Sequence, residues 1–209
     1  MRPPGAHDIS FAGLSSLVYG EDRPPLDDPA EAYHEASKTY ASFAPRQMPG
    51  AAILEQDHEL RELAARSARR HAHRPAIALP DTGIPEASLR TVLSERRSWR
   101  AFRSAPVPLA QLGSLLRAAY GVTAADEWAV RAAPSGGALY PLELYPLVLQ
   151  GGDLPAGVYH YDPFRDALET LRSTPAAEDL RQALVHPELA AHAALFVAVT
   201  AIFWRTRFK

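Results

Sequence analysis

Positive charge and a hydroxyl group are concentrated near the middle of the chain, in the run Arg96-Arg97-Ser98-Trp99-Arg100. A guanidinium group binds phosphate through two parallel hydrogen bonds, and a serine hydroxyl can donate a further one. The run therefore indicates a site for a phosphate dianion. The alternative is the solvated basic end of a helix, which composition alone favours.

A second candidate is the turn of small residues Pro134-Ser135-Gly136-Gly137-Ala138-Leu139-Tyr140-Pro141. Because Gly136 and Gly137 have no Cβ, a planar ring or a phosphate can come close to their backbone, where N–H groups can bond an acceptor. Taken alone, the segment is more typical of a tight turn that leads into a strand. The two segments together carry more information than either one alone.

The elements that must position these segments follow from the spacing of apolar residues. A short helix is predicted to begin at Pro85, with Leu89, Val92 and Leu93 on its apolar face. A longer helix presents Leu109, Leu112, Leu115, Leu116 and Ala119 on one face and stops at Gly121. Further predictions are strands over 144–150, 158–161 and 167–171, a helix over 176–185, and a strand buried on both faces over 195–204. These elements alternate without a regular βαβ order, so we expect an α+β fold.

The composition excludes several classes of protein. The 209 residues include 22 Lys and Arg and 24 Asp and Glu, and the resulting net charge of −2 does not fit a general nucleic-acid binder. Cysteine is absent, which excludes disulfides, iron–sulfur clusters, thiolate zinc sites and catalytic thiols. The start of the chain is not a secretory signal, and the longest apolar run, 193–204, is too short to span a membrane. We therefore expect a cytoplasmic protein that binds neither nucleic acid nor a membrane.

Residues 1–80 are predicted to be a partly helical leader that packs over a domain at 84–209, because the leader has few large apolar residues. Within it, His71-Ala72-His73 is a candidate metal pair, but the neighbouring Arg69, Arg70 and Arg74 repel a cation. We interpret the pair as part of a solvated helix end and predict no metal site.

Four motifs, in this order along the chain, resemble the flavin-binding parts of the nitroreductase-like flavoproteins. They are Arg96 to Arg100, the helix end Ala119-Tyr120-Gly121, the segment Arg131 to Glu143, and the hairpin Gly157-Val158-Tyr159-His160-Tyr161-Asp162-Pro163. Within that group they are similar to the SagB-type dehydrogenases, the azoline oxidases of peptide natural-product pathways. The upstream run Tyr33-His34-Glu35-Ala36-Ser37-Lys38 also resembles the leader of that family.

The resemblance implies an α+β, nitroreductase-like fold that binds FMN between the two subunits of a homodimer. The phosphate and the polar edge of the ring would be held by Arg96, Ser98 and Arg100, with Arg97 nearby. The residues running along the isoalloxazine would be Pro134, Ser135, Gly136 and Gly137. A fixed guanidinium on the pyrimidine side stabilises the negative charge of the reduced flavin, which favours acceptance of a hydride.

The resemblance also implies that the chain holds the N-terminal portion of the fold and that its domain is incomplete at the C-terminal side. In the family the last strand leads into Arg-x-x-Lys-Tyr and further helices, whereas this sequence ends Arg205-Thr206-Arg207-Phe208-Lys209. Lys209, which follows Arg205 by four positions where the motif has three, is taken as the counterpart of the lysine that removes the ring proton in azoline oxidases. A lysine serves as a base only where burial or positive neighbours lower its pKa. Lys209 is therefore the predicted catalytic residue, although no tyrosine follows it.

The expected activity is the FMN-dependent oxidation of a thiazoline or oxazoline ring in a modified peptide to the aromatic azole. The hairpin Gly157 to Pro163 and the leader favour this dehydrogenase interpretation. One alternative is an NAD(P)H-dependent nitro- or quinone reductase on the same scaffold. Another is a truncated, non-catalytic chain that serves as a scaffold subunit among the partners of a biosynthetic complex.

Overall fold

The computed structural model describes residues 68–125, 129–174 and 176–206, together with Tyr33, Gln56, Asp57, Glu59 and Leu60. The chain divides into two compact units, 1–47 and 48–209. Tyr33, an exposed helical residue, is the one described residue of the first unit. Most of the predicted leader, including His34 to Lys38, therefore lies outside the described residues.

Seven strands are described in the second unit. In chain order they are β1 (Ala76–Ala78), β2 (Val122–Ala125), β3 (Ala129–Arg131), β4 (Leu142–Val148), β5 (Gly157–Asp162), β6 (Ala167–Arg172) and β7 (Leu195–Ala201). Five of them form an antiparallel sheet in the order β1-β6-β5-β4-β7, while β2 and β3 form a separate hairpin. In the register of β5 on β6, Tyr161 lies opposite Leu168 and His160 lies opposite Glu169.

The helices of the described residues are α1 (Leu89–Glu95), α2 (Leu109–Tyr120), α3 (Ala177–Ala183) and α4 (Glu188–His192). Only α2 contributes large side chains to the main apolar cluster, through Leu112, Leu116 and Tyr120. Its partners in that cluster are Leu79, Tyr140, Leu144, Val148, Leu154, Tyr159, Tyr161 and Leu168. Complete burial of one such aliphatic or aromatic side chain contributes about 1.5–3 kcal/mol, so α2 is a main source of cohesion. None of the described helices is long and apolar enough to cross a membrane.

The hairpin between β5 and β6 is closed by two aspartates. Oδ1 of Asp162 accepts the backbone N–H groups of Phe164 and Arg165, at 3.0 and 3.2 Å. Asp166 then turns the chain with φ 46°, a left-handed conformation that aspartate tolerates better than most residues. The guanidinium of Arg117 in α2 donates to Oδ2 of Asp166 from Nε at 2.8 Å and from Nη2 at 2.6 Å. This two-point contact ties α2 to the hairpin.

Much of the element pattern confirms the predictions. The helix predicted to stop at Gly121 is α2, and the strands predicted over 144–150, 158–161 and 167–171 are β4, β5 and β6, each within two residues at either end. The helix predicted over 176–185 is α3. The short strand β1, the β2–β3 hairpin and α4 were not predicted. β1 lies inside the predicted leader and pairs with β6 at the edge of the sheet.

Two predictions of burial are wrong. The strand predicted to be buried on both faces, β7, pairs with β4 alone among the described strands, and Val199 on it is 57% exposed. Phe203 and Trp204, predicted to end that strand, lie in a short 3₁₀ helix and are exposed. The helix predicted from Pro85 begins at Leu89, and its apolar residues are exposed. An apolar sequence shows that a face avoids water, but it does not show which segment covers that face.

Replacing Gly157 by alanine is expected to destabilise the chain. A Cβ there would lie 2.5 Å from the carbonyl oxygen of Arg172, a backbone atom of the neighbouring strand. We expect the free energy of unfolding in urea to fall by about 1–3 kcal/mol, the usual cost of overpacking. Gly113→Ala in α2 is the control, because its Cβ would contact only side-chain atoms of Arg117 and Leu79, at 3.5 Å. Equal losses in both variants would contradict this account.

Candidate functional site

The glycine turn connects β3 to β4 and contains a short 3₁₀ helix, Gly136–Ala138. Gly137 has φ +70°, and Ala138 and Tyr140 also have positive φ, 52° and 40°. A left-handed conformation costs a residue with a Cβ roughly 1–2 kcal/mol. The surroundings must therefore hold Ala138 and Tyr140 in place.

Hydrogen bonds close this turn. The backbone N–H of Tyr140 donates to Oγ of Ser135 at 2.9 Å, and the N–H of Ala138 donates to the carbonyl oxygen of Ser135 at 3.1 Å. The carbonyl oxygen of Tyr140 accepts from Nη1 of Arg205 at 2.9 Å. Gly136 and Gly137 are exposed at the start of the 3₁₀ helix, where N–H groups have no partner within the helix. Within the part of the chain that the structure describes, the N–H groups of Gly136 and Gly137 thus have no acceptor, and the backbone that carries them is fixed.

Arg131 lies beneath the turn in a box of aromatic rings. Its guanidinium carbon is 4.6 Å from the centre of the Tyr120 ring, 4.9 Å from that of Tyr140 and 5.3 Å from that of Phe164. The side chain is buried, and its three nitrogens meet no hydrogen-bond acceptor among the described residues. Burial lowers the pKa of the Arg131 guanidinium below its ordinary value. Cation–π contacts of this kind contribute up to about 2 kcal/mol when desolvated, which partly offsets the cost of burying the charge.

A buried network of charged groups lies beside the turn. Nε2 of His160 lies 2.8 Å from Oε2 of Glu143, and its Nδ1 lies 2.9 Å from Oε2 of Glu169. Nη1 of Arg205 lies 2.6 Å from Oε1 of Glu143. These four residues come from β4, β5, β6 and the segment after β7, and all are buried. The same guanidinium thus holds both the network and the end of the turn.

Two residues ahead of β1 complete this network through their backbone. The N–H of Arg69 donates to Oε1 of Glu143 at 3.2 Å, and the N–H of His71 donates to Oε2 of Glu169 at 3.0 Å. Burial, and then the positive charge of His160, lower the pKa of the His71 imidazole. The neutral form of His71 is therefore favoured at neutral pH. The two backbone hydrogen bonds attach the segment before β1 to the sheet.

The network shifts the titration of its members. Burial alone would lower the pKa of His160, but hydrogen bonds to Glu143 and Glu169 outweigh burial and raise it. Burial alone would raise the pKa of Glu143, but hydrogen bonds from His160, the Arg69 backbone and Arg205 lower it. The two carboxylates therefore favour the protonated form of His160.

The predicted phosphate-binding residues Arg96, Arg97, Ser98 and Arg100 lie in an exposed segment directly after α1. Nη1 of Arg97 donates to the carbonyl oxygens of Ser94 and Arg96, both at 2.9 Å. Among the described residues, no hydrogen bond or ion pair joins this segment to the turn at 134–137. Lys209 lies outside the described residues. The convergence of the predicted site residues on one ligand thus stays a prediction.

Sequence reasoning missed the buried network. From the alternation of side chains along a strand, either Tyr159 and Tyr161 or Val158 and His160 are expected to face the core. Instead Tyr159, His160 and Tyr161 are all buried, because the second face is covered by the network. The available signal was a charged or polar residue inside three apolar strands, namely Glu143, His160 and Glu169.

A model of the Nitroreductase family matches residues 93–209, more than half of the chain. The chain belongs to the nitroreductase family, whose members typically bind FMN. The antiparallel sheet with few helices agrees with this fold, which confirms the predicted fold class.

Individual relatives match over part of their length. A Methanocaldococcus jannaschii protein, provisionally named a nitroreductase, is 38% identical over 130 residues, 62% of this chain and 64% of that protein. The chain thus spans less than two thirds of that relative. A solved structure from Anabaena variabilis, provisionally named a nitroreductase, superposes with a TM-score of 0.56 at 23% sequence identity. The match covers 86% of this chain and 33% of that chain, and it shows that the two share a fold. One from Ralstonia eutropha has a TM-score of 0.49 and 29% identity over 68% of this chain and 62% of its own.

Glu143→Gln is expected to lower the free energy of unfolding by about 3 kcal/mol, because it leaves two buried cations short of a counter-charge. Urea denaturation at neutral pH measures the loss. Glu178→Gln is the matched control, since Glu178 makes a comparable contact with Arg181 on the surface of α3. The control should unfold like the unchanged chain. A loss in Glu143→Gln no larger than in the control would contradict the role of the network.

Acid is expected to remove the same stabilisation. Because the folded-state pKa of Glu143 is below its ordinary 4.5, its contribution is complete above about pH 4.5 and is lost as the pH falls through the folded value. The unchanged chain should therefore lose stability more steeply in acid than Glu143→Gln. Urea denaturation of both proteins at a series of acidic pH values gives their free energies of unfolding. The difference between these two free energies should become smaller as the pH falls.

Proposed function

We propose that this chain is the flavin-binding part of an FMN-dependent dehydrogenase that oxidises thiazoline or oxazoline rings of a modified peptide to azoles. The observation that carries the proposal is the turn at 134–141, where exposed glycines are presented on a backbone fixed by Ser135 and Arg205. Donors that are held in place before the ligand arrives need no reorganisation when charge develops on it. The Gly157 to Pro163 hairpin supports the dehydrogenase branch.

The residues present fit FMN. Ser98 and the arginines 96, 97 and 100 are exposed and can donate to a phosphate and to the polar edge of a ring. Pro134, Ser135, Gly136 and Gly137 offer a stretch with little side-chain bulk against which a flat ring can lie. When bound, FMN accepts a hydride from the substrate carbon.

The rest of the chemistry belongs to the chain itself. Guanidinium groups stabilise negative charge at the ligand's edge, and Nζ of Lys209 takes the ring proton. Since aromatisation favours the product, the main task of the protein is to align the ring with its acceptor and its base.

A homodimer is part of the proposal. Large apolar side chains are exposed on α1 and after β7, including Leu89, Leu93, Phe203 and Trp204. Exposed apolar surface of this extent is typical of protein–protein interfaces. The segment after β7 lies beside the end of the turn, since the N–H of Ile202 donates to the carbonyl oxygen of Pro141 at 2.8 Å, so a second copy that covers Phe203 and Trp204 would lie close to a ligand bound at the turn.

Uptake of FMN by the purified chain tests the proposal. The visible absorption of added FMN should change on binding, and Arg96→Ala should weaken binding about tenfold, because one charge-assisted contact is worth about 1.5 kcal/mol or more. Arg103→Ala is the control, since Arg103 is exposed in the same segment but outside the predicted site. A chain that takes up no FMN, or equal losses in both variants, would contradict the assignment.

The name of the M. jannaschii relative favours a second candidate, an NAD(P)H-dependent nitroreductase. The two activities differ in the reductant of the flavin. In the absence of oxygen, an azoline-containing peptide should bleach the flavin of a dehydrogenase, whereas NADPH alone should bleach that of a reductase. Rapid bleaching by NADPH with no response to the peptide would replace the dehydrogenase proposal with the reductase.

A further inference from the structure

Two histidines and a glutamate meet on the face of the sheet that carries the buried network. His71 precedes β1, His160 lies on β5 and Glu169 on β6, and each offers one ligand atom within 4.8 Å of the others. The two strand residues are completely buried and lie opposite each other in the register of β5 and β6. Strand pairing thus fixes two of the three groups, and the backbone bond from His71 to Glu169 places the third.

Two polar atoms of this cluster have no hydrogen-bond partner. Nε2 of His71 and Oε1 of Glu169 are both buried, and neither is satisfied within the part of the chain that the structure describes. A buried polar atom without a partner costs about 1–3 kcal/mol. An imidazole nitrogen and a carboxylate oxygen are both ligands that zinc accepts, so the cluster contains donor groups that its own hydrogen bonds do not use.

Nε2 of His160 already makes the hydrogen bond that the second ring nitrogen of a metal-bound histidine usually makes. A metal-bound histidine almost always donates its second ring N–H to a carboxylate, which orients the ring and makes it a better ligand. Nε2 of His160 lies 2.8 Å from Oε2 of Glu143, and Arg205 in turn fixes Glu143. This arrangement leaves Nδ1 of His160 as the nitrogen that faces Glu169.

The charges near the cluster permit a cation. The buried carboxylates of Glu143 and Glu169 outnumber the buried guanidinium beside them, that of Arg205 on Glu143. The charges of Arg69 and Arg74 also act on His71, but both of these side chains are exposed to solvent. Nη1 of Arg165 lies 3.7 Å from Oε1 of Glu169, but this side chain is half exposed and can turn into solvent.

We propose that His71, His160 and Glu169 bind one divalent transition metal ion, for which zinc is the best match to two imidazoles and one carboxylate. The ion takes the place of the proton on Nδ1 of His160, which is released to solvent on binding. It links the segment before β1 to β5 and β6. The sequence prediction of no metal site considered His71 with His73, whereas the structure pairs His71 with residues distant in the sequence and leaves His73 exposed.

Titration of the metal-free chain with Zn²⁺ and Co²⁺ tests the proposal without any flavin, so its result is independent of the proposed function. We expect one ion per chain by calorimetry, and for Co²⁺ the visible absorption bands of a site with nitrogen and oxygen ligands. His71→Ala should weaken binding at least about tenfold. It keeps the backbone N–H that bonds Glu169, so the variant should fold. His73→Ala, two residues away, is the matched control and should bind like the unchanged chain.

Several results would overturn the proposal. One is an unchanged chain that binds no stoichiometric metal; another is equal weakening in His71→Ala and His73→Ala, which would indicate a surface pair. Glu169→Gln is the further variant, and unchanged affinity there would also contradict the site. Should Glu169→Gln fail to fold, the melting temperature decides, because Zn²⁺ should raise it in the unchanged chain and much less in His71→Ala. An equal rise in both would count against the site.

Discussion

One imidazole ring between two carboxylates sets the register of the central sheet. His160 on β5 bonds to Glu143 on β4 and to Glu169 on β6, and all three side chains are buried. A slip of β5 by one residue would turn this ring to the opposite face and leave buried carboxylates without a partner. Since each uncompensated buried charge costs several kcal/mol, alternative registers are strongly disfavoured. These buried charged groups therefore determine which residues pair across the strands, in addition to the alternation of apolar residues along each strand.

The same network brings residues that are far apart in the sequence into contact in the folded chain. Arg205, after the last strand, reaches Glu143 and the carbonyl oxygen of Tyr140, at the end of the glycine turn. Tyr140 accepts from the N–H of Arg131 at the other end of that turn. The shape of the turn thus depends on contacts from two other parts of the chain, β3 and the segment after β7. Its left-handed residues are stable only because these contacts hold them.

The sequence was informative where structure is local. α2 could be predicted because five apolar residues recur at helical spacing before Gly121, and the glycine turn could be predicted from its own residues. The network could not, because it depends on which strands become neighbours and which faces they share. The burial of β7 was wrongly predicted for a related reason: its apolar run is the same whether or not another segment covers it. The role of Ser135 in closing the turn depends on the left-handed φ of Tyr140, which no local pattern indicates.

The free side of β7 has a consequence for handling the protein. Among the described strands β7 pairs only with β4, so half of its backbone N–H and C=O groups point along the sheet toward no described strand. β7 has no charged side chain, no proline and no β-bulge of the kind that discourages edge-to-edge association. Such an edge templates the addition of foreign strands. Concentrated solutions of the isolated chain should therefore tend toward aggregation, and a lysine introduced at Val199 should improve solubility.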